Sequence, residues 1–424
     1  RMVVGKKGMV INMIYVAVMG HGVVGSGVVE VLCKNAASIA HKAGDSIEIR
    51  RILDLRDFPD SPLAGRFTKN FQDILNDPEI CIVVETMGGL HPAYEFVKSC
   101  LEAGKSVVTS NKELVAAKGD ELLEIARENN LNFLFEASVG GGIPILRPLD
   151  QCLAANEVYE IAGILNGTTN FMLTQMVEND MSFDDALALA QRLGYAERNP
   201  SADIDGDDAC RKICILASLA FGRHVYPAQV HTEGIRSITL EDVNYAAALD
   251  GVIKLIGRAQ KQADGRLYAV VAPMILPKAS LLADVNDVFN GIMVRGDAIG
   301  DVVFYGRGAG KLPTASAVVA DVIDEVKHLH ARKYLFWERG REDYVADYRQ
   351  GRGRMFLRLA CENESAGKDA VEKVFGQVEW VRPEGAPAGE IAFATPAITE
   401  KELEDKLHLL DGMPVISRIR IADM

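Results

Sequence analysis

The first 140 residues alternate short apolar runs with longer segments of helical periodicity. Residues 14–19 form a continuous apolar run rich in β-branched and aromatic side chains, which is typical of a strand buried on both faces. The same pattern predicts strands over 14–19, 47–55, 80–85, 106–110 and 132–137, with helices over 22–41, 91–103 and 113–129. This alternation predicts an α/β domain built on a doubly wound sheet of parallel strands.

The pattern changes at the Gly-Gly-Gly-Ile-Pro segment, residues 140–144, where we predict a domain boundary. The strands predicted after it lack regular helical crossovers, which indicates an α+β domain with a mixed sheet. We predict strands over 157–165, 266–276, 290–295 and 301–305, and helices over 168–179, 182–193, 203–221 and 316–330.

A second boundary is predicted near 333–350, because residues 339–354 are dense in charge and glycine, and a small module follows it. We predict strands over 354–360, 390–394 and 414–421, and helices over 366–374 and 399–409. The predicted domains are therefore 1–143, 144–335 and 350–424. The helix within 316–335 is expected to pack back on the first of them.

Composition narrows the class of protein. Of 424 residues, 48% are hydrophobic and 25% charged, which is ordinary for a globular protein. The formal net charge of −13, without a pronounced basic segment, argues against nucleic-acid binding. Seven cysteines without a C-x-x-C motif predict a reduced, cytoplasmic protein.

The N-terminus resembles a signal peptide, because Lys6 and Lys7 precede an apolar run over 9–19. The run has no small-residue cleavage site and leads directly into a glycine loop, so we interpret it as a strand. Elsewhere no apolar stretch reaches the about 18 residues that a membrane helix needs. We therefore expect no membrane partner, and we read Arg1 as an alternative or altered start.

Residues 20–25 form the pattern G-x-G-x-x-G between a predicted strand and a helix. In this arrangement Gly20 permits the tight turn, Gly22 lets the backbone approach a pyrophosphate, and Gly25 lets helix and strand pack closely. The phosphates would lie on the helix N-terminus, beside Val23 and Val24, where N–H groups and the helix dipole favour anions. The loop predicts dinucleotide binding on a Rossmann-type sheet.

The choice between NAD and NADP stays open. An acid at the end of the second strand, Asp54, would bind a ribose 2′-hydroxyl and favour NAD, whereas Arg56 would hold a 2′-phosphate and favour NADP. The alternative is that both are solvated loop charges.

A dense cluster of charge, residues 194–212, leads into an apolar helix. Asp203 or Asp205 could simply cap that helix, and Asp208 and Lys212, four residues apart, could form an exposed ion pair. The functional alternative is that a lysine beside an acid protonates a carbonyl that accepts hydride, while other acids hold a substrate amino group.

These segments together resemble the homoserine dehydrogenase family, over nearly all of residues 14–335. The matching motifs are the glycine loop, VETMGG at 84–89, TSNKE at 109–113, EASVGGGIP at 136–144, LNGTTN at 165–170, the segment 194–212, and GRGAG at 306–310 followed by Pro313 and Thr314. The resemblance implies NAD(P)-dependent interconversion of aspartate semialdehyde and homoserine, in threonine, methionine and isoleucine biosynthesis.

The resemblance also implies roles for individual residues. Lys212 is similar to the family's proton donor and Asp208 to its acidic partner. The residues expected to bind substrate are Glu197, Asp203, Lys112, Thr168 and Tyr195. The residues expected to contact the cofactor are Gly20, Gly22, Val23, Val24, Gly25, Arg56, Thr86, Gly88, Lys112, Gly308 and Gly310. A structural sodium ion would be held by backbone oxygens of Glu136, Val139, Gly141 and Ile143. From position alone, Lys112 could instead be a plain surface lysine.

The C-terminal module resembles a βαββαβ ACT domain, in which threonine often acts as effector. It departs from that pattern after its first strand, where residues 362–368 replace the usual Pro-Gly-Val-Leu, so it could serve assembly alone. A homodimer or homotetramer is expected. Two alternatives remain. The first is an aspartate-semialdehyde dehydrogenase with Cys152 as nucleophile, although Cys152 is not in that family's Ser-Asn-Cys-Thr motif. The second is a non-catalytic nucleotide sensor, against which the Asp208–Lys212 pair argues.

Overall fold

A computed structural model describes residues 3–4, 10–329, 331, 335–410 and 412–424. The sequence features at Arg1, Lys6, Lys7 and Met9 lie outside these residues. The chain forms two compact units. The first comprises Arg1–Asn156, Cys214–Pro227 and Gly306–Arg341, and the second comprises Glu157–Ile213, Ala228–Tyr305 and Glu342–Met424.

The first unit contains a six-stranded sheet whose neighbouring strands are all parallel. Its strands, in spatial order, are Phe67–Thr68, Ser46–Leu53, Met13–Met19, Ile80–Glu85, Ser106–Thr109 and Phe133–Leu134. The central strands are buried, as continuous apolar runs predict for a parallel sheet covered on both faces. The predicted Rossmann-type sheet is therefore confirmed. A further two-stranded sheet pairs Val3–Val4 with Val10–Ile11.

Helices of the first unit bury apolar faces on this sheet. They are Val23–Lys34, Ala36–Ala43, Gln72–Leu75, Ala93–Glu102, Lys112–Glu128 and Lys311–Lys327, with short turns at Ala64–Arg66, Glu136–Ser138 and Pro148–Cys152. The helix Lys311–Lys327 packs on Val23–Lys34, where Gly27 has no room for a side chain beside Lys311 and Ala315.

Two element predictions need correction in this unit. The helix predicted over 22–41 is two helices that meet at Asn35 with a bend of 82°. The strand predicted over 132–137 is only Phe133–Leu134, and Glu136–Ser138 forms a single 3₁₀ turn. Asp321 accepts the Glu136 N–H at 2.8 Å, which holds the chain in that turn.

The second unit is built on a mixed sheet of eleven strands. Its main path is Gly300–Arg307, Phe289–Gly296, Val158–Ile164, Gly251–Lys261, Leu267–Pro277, Val415–Ile421, Arg352–Ala360, Glu390–Ala394 and Glu379–Trp380. The two-residue strands His231–Thr232 and Ile398–Thr399 pair at its margins. Most neighbouring pairs are antiparallel, but Leu267–Pro277 and Val415–Ile421 are parallel. The predicted mixed sheet is confirmed.

The helices of the second unit are Gly167–Asn179, Phe183–Arg192, Ser201–Ile204, Leu240–Ala248, Glu364–Phe375 and Glu400–Leu407, with short turns at Pro227–Gln229 and Tyr348–Gln350. The helix Asp207–Phe221 also begins in this unit, which contains its residues up to Ile213. The single helix predicted over 203–221 is wrong. Gly206, with a φ of +92°, separates the short helix Ser201–Ile204 from Asp207–Phe221. A side chain at Gly206 would lie 2.8 Å from the Thr232 methyl group, so this turn requires glycine.

The C-terminal module shows the predicted β-α-β-β-α-β order, with Ile398–Thr399 as one additional short strand. Its strands continue the mixed sheet, because Val415–Ile421 pairs with Leu267–Pro277.

Among the described residues, no single helix is long and apolar enough to cross a membrane. The bent pair Val23–Lys34 and Ala36–Ala43 satisfies that test jointly, on length and composition only.

Candidate active site

The glycine loop, residues 20–25, has the geometry that its sequence predicts. Gly20 has a φ of +92°, and a side chain at Gly25 would come within 1.9 Å of the Gly20 carbonyl oxygen. A side chain at Gly22 would meet no atom within 4 Å. The loop is therefore closed on its inner side and open at Gly22, where a pyrophosphate would approach the backbone. Val23, largely exposed, and Val24, half-buried, begin the helix behind it.

A cleft of about 580 Å³ lies at the carboxyl ends of the strands, beside this loop. Its lining includes Gly20, Gly22, Asp54, Arg56, Thr86 and Gly88. Thr86 fixes the loop, because its hydroxyl donates to the Gly20 carbonyl at 2.9 Å. In parallel sheets ligands bind at this edge, so the cleft fits a dinucleotide.

Asp54 and Arg56 form one bonded unit at the edge of the cleft. The Asp54 carboxylate accepts the His21 N–H at 2.8 Å and, from Arg56, the backbone N–H and two guanidinium N–H groups at 2.9–3.0 Å. Bonding to Arg56 holds the pKa of Asp54 far below its usual range, although partial burial opposes this. The alternative of a solvated loop charge is therefore wrong for Asp54, whereas Arg56 is 62% exposed to solvent.

Glu85 is a buried residue of this region that the sequence did not single out as functional. Its carboxylate accepts the Met87 N–H at 2.7 Å and, on its other oxygen, the Thr109 hydroxyl at 2.5 Å. Burial raises the pKa of Glu85, although these hydrogen bonds oppose the rise. Through these two bonds the Glu85 carboxylate connects the turn that carries Gly88 to the neighbouring strand Ser106–Thr109. An acid ending an otherwise apolar strand was the available signal.

Lys112, half-buried, begins the helix Lys112–Glu128. The preceding residue, Asn111, caps this helix, since its side chain accepts the Leu114 N–H at 3.1 Å. Asn111 also donates to the Gly89 carbonyl at 2.6 Å. Asn111 therefore fixes the strand-to-helix turn of the first unit from which Lys112 projects.

The pair Asp208 and Lys212 lies in the second unit and is buried, with side-chain exposures of 5% and 9%. Lys212 Nζ donates to Asp208 Oδ2 at 2.7 Å and to the Leu165 carbonyl at 2.8 Å. The alternative of an exposed surface ion pair is therefore wrong. Burying an ammonium group requires such compensation, and buried ion pairs of this kind are frequent at functional sites.

Asn166 joins Asp203 to this pair. Its side-chain Nδ2 donates to Asp203 Oδ1 at 2.7 Å and to Asp208 Oδ2 at 2.8 Å. The structure thus brings Asp203, Asp208 and Lys212 together around the LNGTTN segment. Asn166 belongs to that motif, but the sequence predicted no role for it.

Thr168, Tyr195 and Glu197 are arranged differently. Thr168 is buried, and its hydroxyl donates to the Tyr195 carbonyl at 2.7 Å, which fixes the start of the exposed loop 194–200. The Tyr195 ring packs edge-on against Phe171 and remains 44% exposed. Glu197 is exposed on the same loop, where its carbonyl accepts from Gln191 at 3.1 Å.

Residues 136–143 form a compact turn of the first unit. Gly140 and Gly141 have φ values of +72° and +56°, and a side chain at Gly141 would lie 2.5 Å from the Gly308 carbonyl oxygen. The Glu136 carboxylate accepts three successive backbone N–H groups, from Ile145 to Arg147, at 2.6–2.9 Å. No group of three or more His, Cys, Asp or Glu side chains in the described part of the chain could hold a metal ion.

The glycines of 306–310 lie within the first unit, with Gly308 against Gly141. Gly310, with a φ of +128°, directly precedes the helix Lys311–Lys327. Cys152, the candidate nucleophile of the alternative interpretation, is an exposed free thiol at the end of the turn Pro148–Cys152.

Comparisons with known proteins agree with the site. The homoserine dehydrogenase NAD-binding domain model matches residues 20–136, and the homoserine dehydrogenase model matches residues 144–323. A Bacillus subtilis homoserine dehydrogenase is 34% identical, over 96% of this chain and 97% of its own. A Pseudomonas aeruginosa homoserine dehydrogenase is 45% identical, over 74% of this chain and 72% of its own.

Solved structures give the same result. The crystal structure of a homoserine dehydrogenase from Thiobacillus denitrificans has a TM-score of 0.88 and 37% identity, and the match covers 97% of this chain and 99% of that one. A hyperthermophilic archaeal homoserine dehydrogenase in complex with NADPH has a TM-score of 0.62 and 28% identity, over 74% of this chain and 97% of its own. The alternatives of a cysteine-dependent dehydrogenase and of a non-catalytic sensor are therefore wrong. The chain belongs to the homoserine dehydrogenase family, whose NAD(P)-dependent reaction interconverts aspartate semialdehyde and homoserine.

Proposed function

We propose that Lys212 is the proton donor of this reaction and that Asp208 holds it in place. The observation that carries the proposal is the buried bond between Lys212 Nζ and Asp208 Oδ2, 2.7 Å long. The second bond, from Lys212 Nζ to the Leu165 carbonyl, fixes the direction of the ammonium group. A positioned lysine of this kind suits general acid catalysis, because it is charged and its orientation is set before reaction.

When bound, a reduced nicotinamide would supply the hydride for the aldehyde carbon. Negative charge then develops on the aldehyde oxygen, and Lys212 transfers a proton to it, which completes homoserine. Asp208 stabilises the ammonium form before transfer. In the oxidation of homoserine the same lysine, then neutral, takes the hydroxyl proton.

We further propose that acids of the second unit hold the substrate's amino group. Asp203 is half-buried and bonded to Asn166, so its carboxylate is fixed near Asp208. Glu197 and Tyr195 lie on the exposed loop 194–200, which Thr168 anchors. The exposed Glu197 carboxylate suits charge-assisted hydrogen bonding to a substrate amino group. Lys112 is proposed to contact both substrate and cofactor.

The role of Lys212 is tested with the Lys212→Met variant, whose side chain is one heavy atom shorter, unbranched and uncharged. Homoserine-dependent reduction of NAD(P) should fall by about 10²–10⁴-fold in kcat, the usual contribution of general acid–base catalysis. Lys261→Met, at an exposed lysine of the same unit, is the control. Turnover within twofold of wild type in a folded Lys212→Met enzyme would contradict the assignment.

We propose NADP as the preferred cofactor. Asp54 already accepts four hydrogen bonds, which fill the acceptor positions of a carboxylate, so it has little capacity left for a ribose hydroxyl. Arg56, by contrast, is 62% exposed at the cleft, where Lys69 adds a second positive charge. The complex of the archaeal relative with NADPH is in keeping with this preference.

We propose that Val23, Val24, Gly88 and the loop containing Gly308 and Gly310 complete the cofactor site, together with Gly20, Gly22, Gly25 and Thr86. A structural sodium ion is proposed at the carbonyl oxygens of Glu136, Val139, Gly141 and Ile143. The left-handed conformations of Gly140 and Gly141 support this, because they change the direction of successive carbonyl groups. Dialysis against sodium-free buffer, followed by thermal unfolding with and without added sodium, tests the ion.

We propose a cofactor domain (1–143), a substrate and dimerisation domain (144–335) and an ACT-like domain (350–424), in a cytoplasmic homodimer or homotetramer. The β-α-β-β-α-β order of the last segment supports an ACT-like fold. Threonine is the proposed effector. Initial rates with and without threonine, with sedimentation velocity of the same samples, test the effector and the assembly.

A further inference from the structure

The side chain of Asn166 makes two sets of hydrogen bonds, which use different atoms. Its Oδ1 accepts the Thr169 N–H at 2.8 Å, which caps the helix Gly167–Asn179. Its Nδ2 donates to Asp203 Oδ1 and Asp208 Oδ2. The residue is 5% exposed, so these bonds form away from bulk water, where they restrict geometry more strongly.

The two bonds from Nδ2 set the separation of two carboxylates. The N–H bonds of an amide NH₂ group diverge by about 120°, which places Asp203 Oδ1 and Asp208 Oδ2 about 5 Å apart. Two carboxylates at this distance repel each other, and a neutral group with two donors is well suited to bind both. Capping alone does not require the amide, because serine or aspartate caps a helix as well as asparagine does.

The same Asp208 oxygen also accepts from Lys212 at 2.7 Å. Leu165, which accepts the other Lys212 bond, directly precedes Asn166 in the chain. The segment 165–166 therefore contacts both members of the ion pair: the lysine through a backbone carbonyl, and the acid through a side-chain amide.

We propose that Asn166 is a positioning residue for the reaction, which aligns Asp208 with Lys212 and spaces Asp203 from Asp208 through its Nδ2. The proposal rests on the proposed role of Lys212 as proton donor. It assigns Asn166 no direct contact with substrate. Its consequence is that capping and catalysis can be separated by mutation, because they use opposite ends of one amide.

The test compares four variants of the full-length chain in homoserine oxidation with NADP. Asn166→Ser keeps a capping oxygen, but its single hydroxyl cannot donate to both carboxylates. Asn166→Ala removes the cap and the donors. Ser182→Ala removes the cap of the helix Phe183–Arg192, where Ser182 accepts the Asp185 N–H and donates to the Asp185 carboxylate. Lys212→Met reports on the proposed proton donor itself.

We expect Asn166→Ser to unfold in urea near the wild-type midpoint and to lose about 10²-fold in kcat, the size typical of a misplaced catalytic group. Its KM for homoserine should rise several-fold, because Asp203 is also released. Asn166→Ala should show the same kinetic loss with a lower midpoint. Ser182→Ala should lower the midpoint and leave kcat and KM within twofold of wild type.

The outcomes separate the two proposals. If Lys212→Met is inactive while Asn166→Ser and Asn166→Ala keep kcat within twofold of wild type, Asn166 is only a helix cap and the inference is overturned. If Ser182→Ala loses as much kcat as Asn166→Ala, loss of a cap explains both, and the inference is again overturned. If Lys212→Met retains turnover, the proposed role of Lys212 fails, and the alignment proposed for Asn166 fails with it. An unfolded Asn166→Ser leaves the decision to Asn166→Thr, which also keeps a neutral capping oxygen and cannot donate to both carboxylates.

Discussion

Replacing Arg56 by alanine should shift the cofactor preference away from NADP and toward NAD. In the folded chain the guanidinium group supplies two of the four hydrogen bonds that Asp54 accepts; the others come from the backbone N–H groups of His21 and Arg56. The substitution removes a cation from the proposed 2′-phosphate site and also frees two acceptor positions on a carboxylate. The first change weakens NADP binding, and the second improves NAD binding.

The magnitude follows from the hydrogen bonds that a 2′-phosphate would make to the guanidinium group. A hydrogen bond to a charged group contributes about 1.5–3 kcal/mol, which corresponds to roughly 10–150-fold in affinity. Arg56 is 62% exposed, so solvent screening favours the lower end. We therefore expect KM for NADP to rise about tenfold and KM for NAD to stay equal or fall. The ratio of kcat/KM for NADP to that for NAD should drop by at least tenfold.

The assay measures initial rates of homoserine oxidation with each cofactor. The matched control is Arg349→Ala, because Arg349 makes the same bonds to Asp347, two residues earlier, in the second unit. That variant should leave both KM values unchanged. An Arg56→Ala enzyme that loses affinity equally for NAD and NADP would refute the reasoning, since Arg56 would then serve only to order the loop.

Three further predictions concern folding. Gly206→Ala should lower the free energy of unfolding by about 1–3 kcal/mol in urea titrations, because its φ is +92° and the added methyl group meets Thr232; Gly265→Ala, at an open turn, controls for the strain alone. Arg358→Met should lower the free energy of unfolding by about 3–5 kcal/mol, because it leaves the buried carboxylates of Asp242 and Glu390 without their cation. A loss below 1 kcal/mol would contradict this. Glu233 is partly buried, yet bonds from His231 and Arg420 lower its pKa to about 2 from 4.5. Between these two values the unfolded state binds more protons, so the free energy of unfolding falls as the pH drops. Glu233→Gln should flatten this dependence of unfolding free energy on pH, measured by urea titration across the same pH range.

Much of the fold could be predicted because apolar runs and helical periodicity report burial directly. The strand predicted over 80–85 is observed as Ile80–Glu85. The two longest strands differ in this respect. The sequence predicts Leu267–Pro277, but it does not predict the neighbouring strand Gly251–Lys261. Lys254 and Arg258 interrupt the apolar run of the missed strand, yet Lys254 is 1% exposed. Its ammonium group bonds to the Val285 carbonyl and the Asn286 side chain, partners that no local pattern reveals.

The candidate site shows the same limit of local information. The spacing of Asp208 and Lys212 placed both on one helix face but could not decide between solvent and interior, since either environment satisfies an i,i+4 pair. Burial is decided by partners distant in sequence: the Leu165 carbonyl, 47 residues before Lys212, and the Asn166 amide, 42 residues before Asp208. Asn166 caps the helix Gly167–Asn179, and nothing in that local arrangement indicates that its Nδ2 also donates to Asp203 and Asp208. When a side chain bonds to a local partner through one atom and to distant residues through another, the local sequence reveals only the first bond. The distant partners become apparent only in the folded structure.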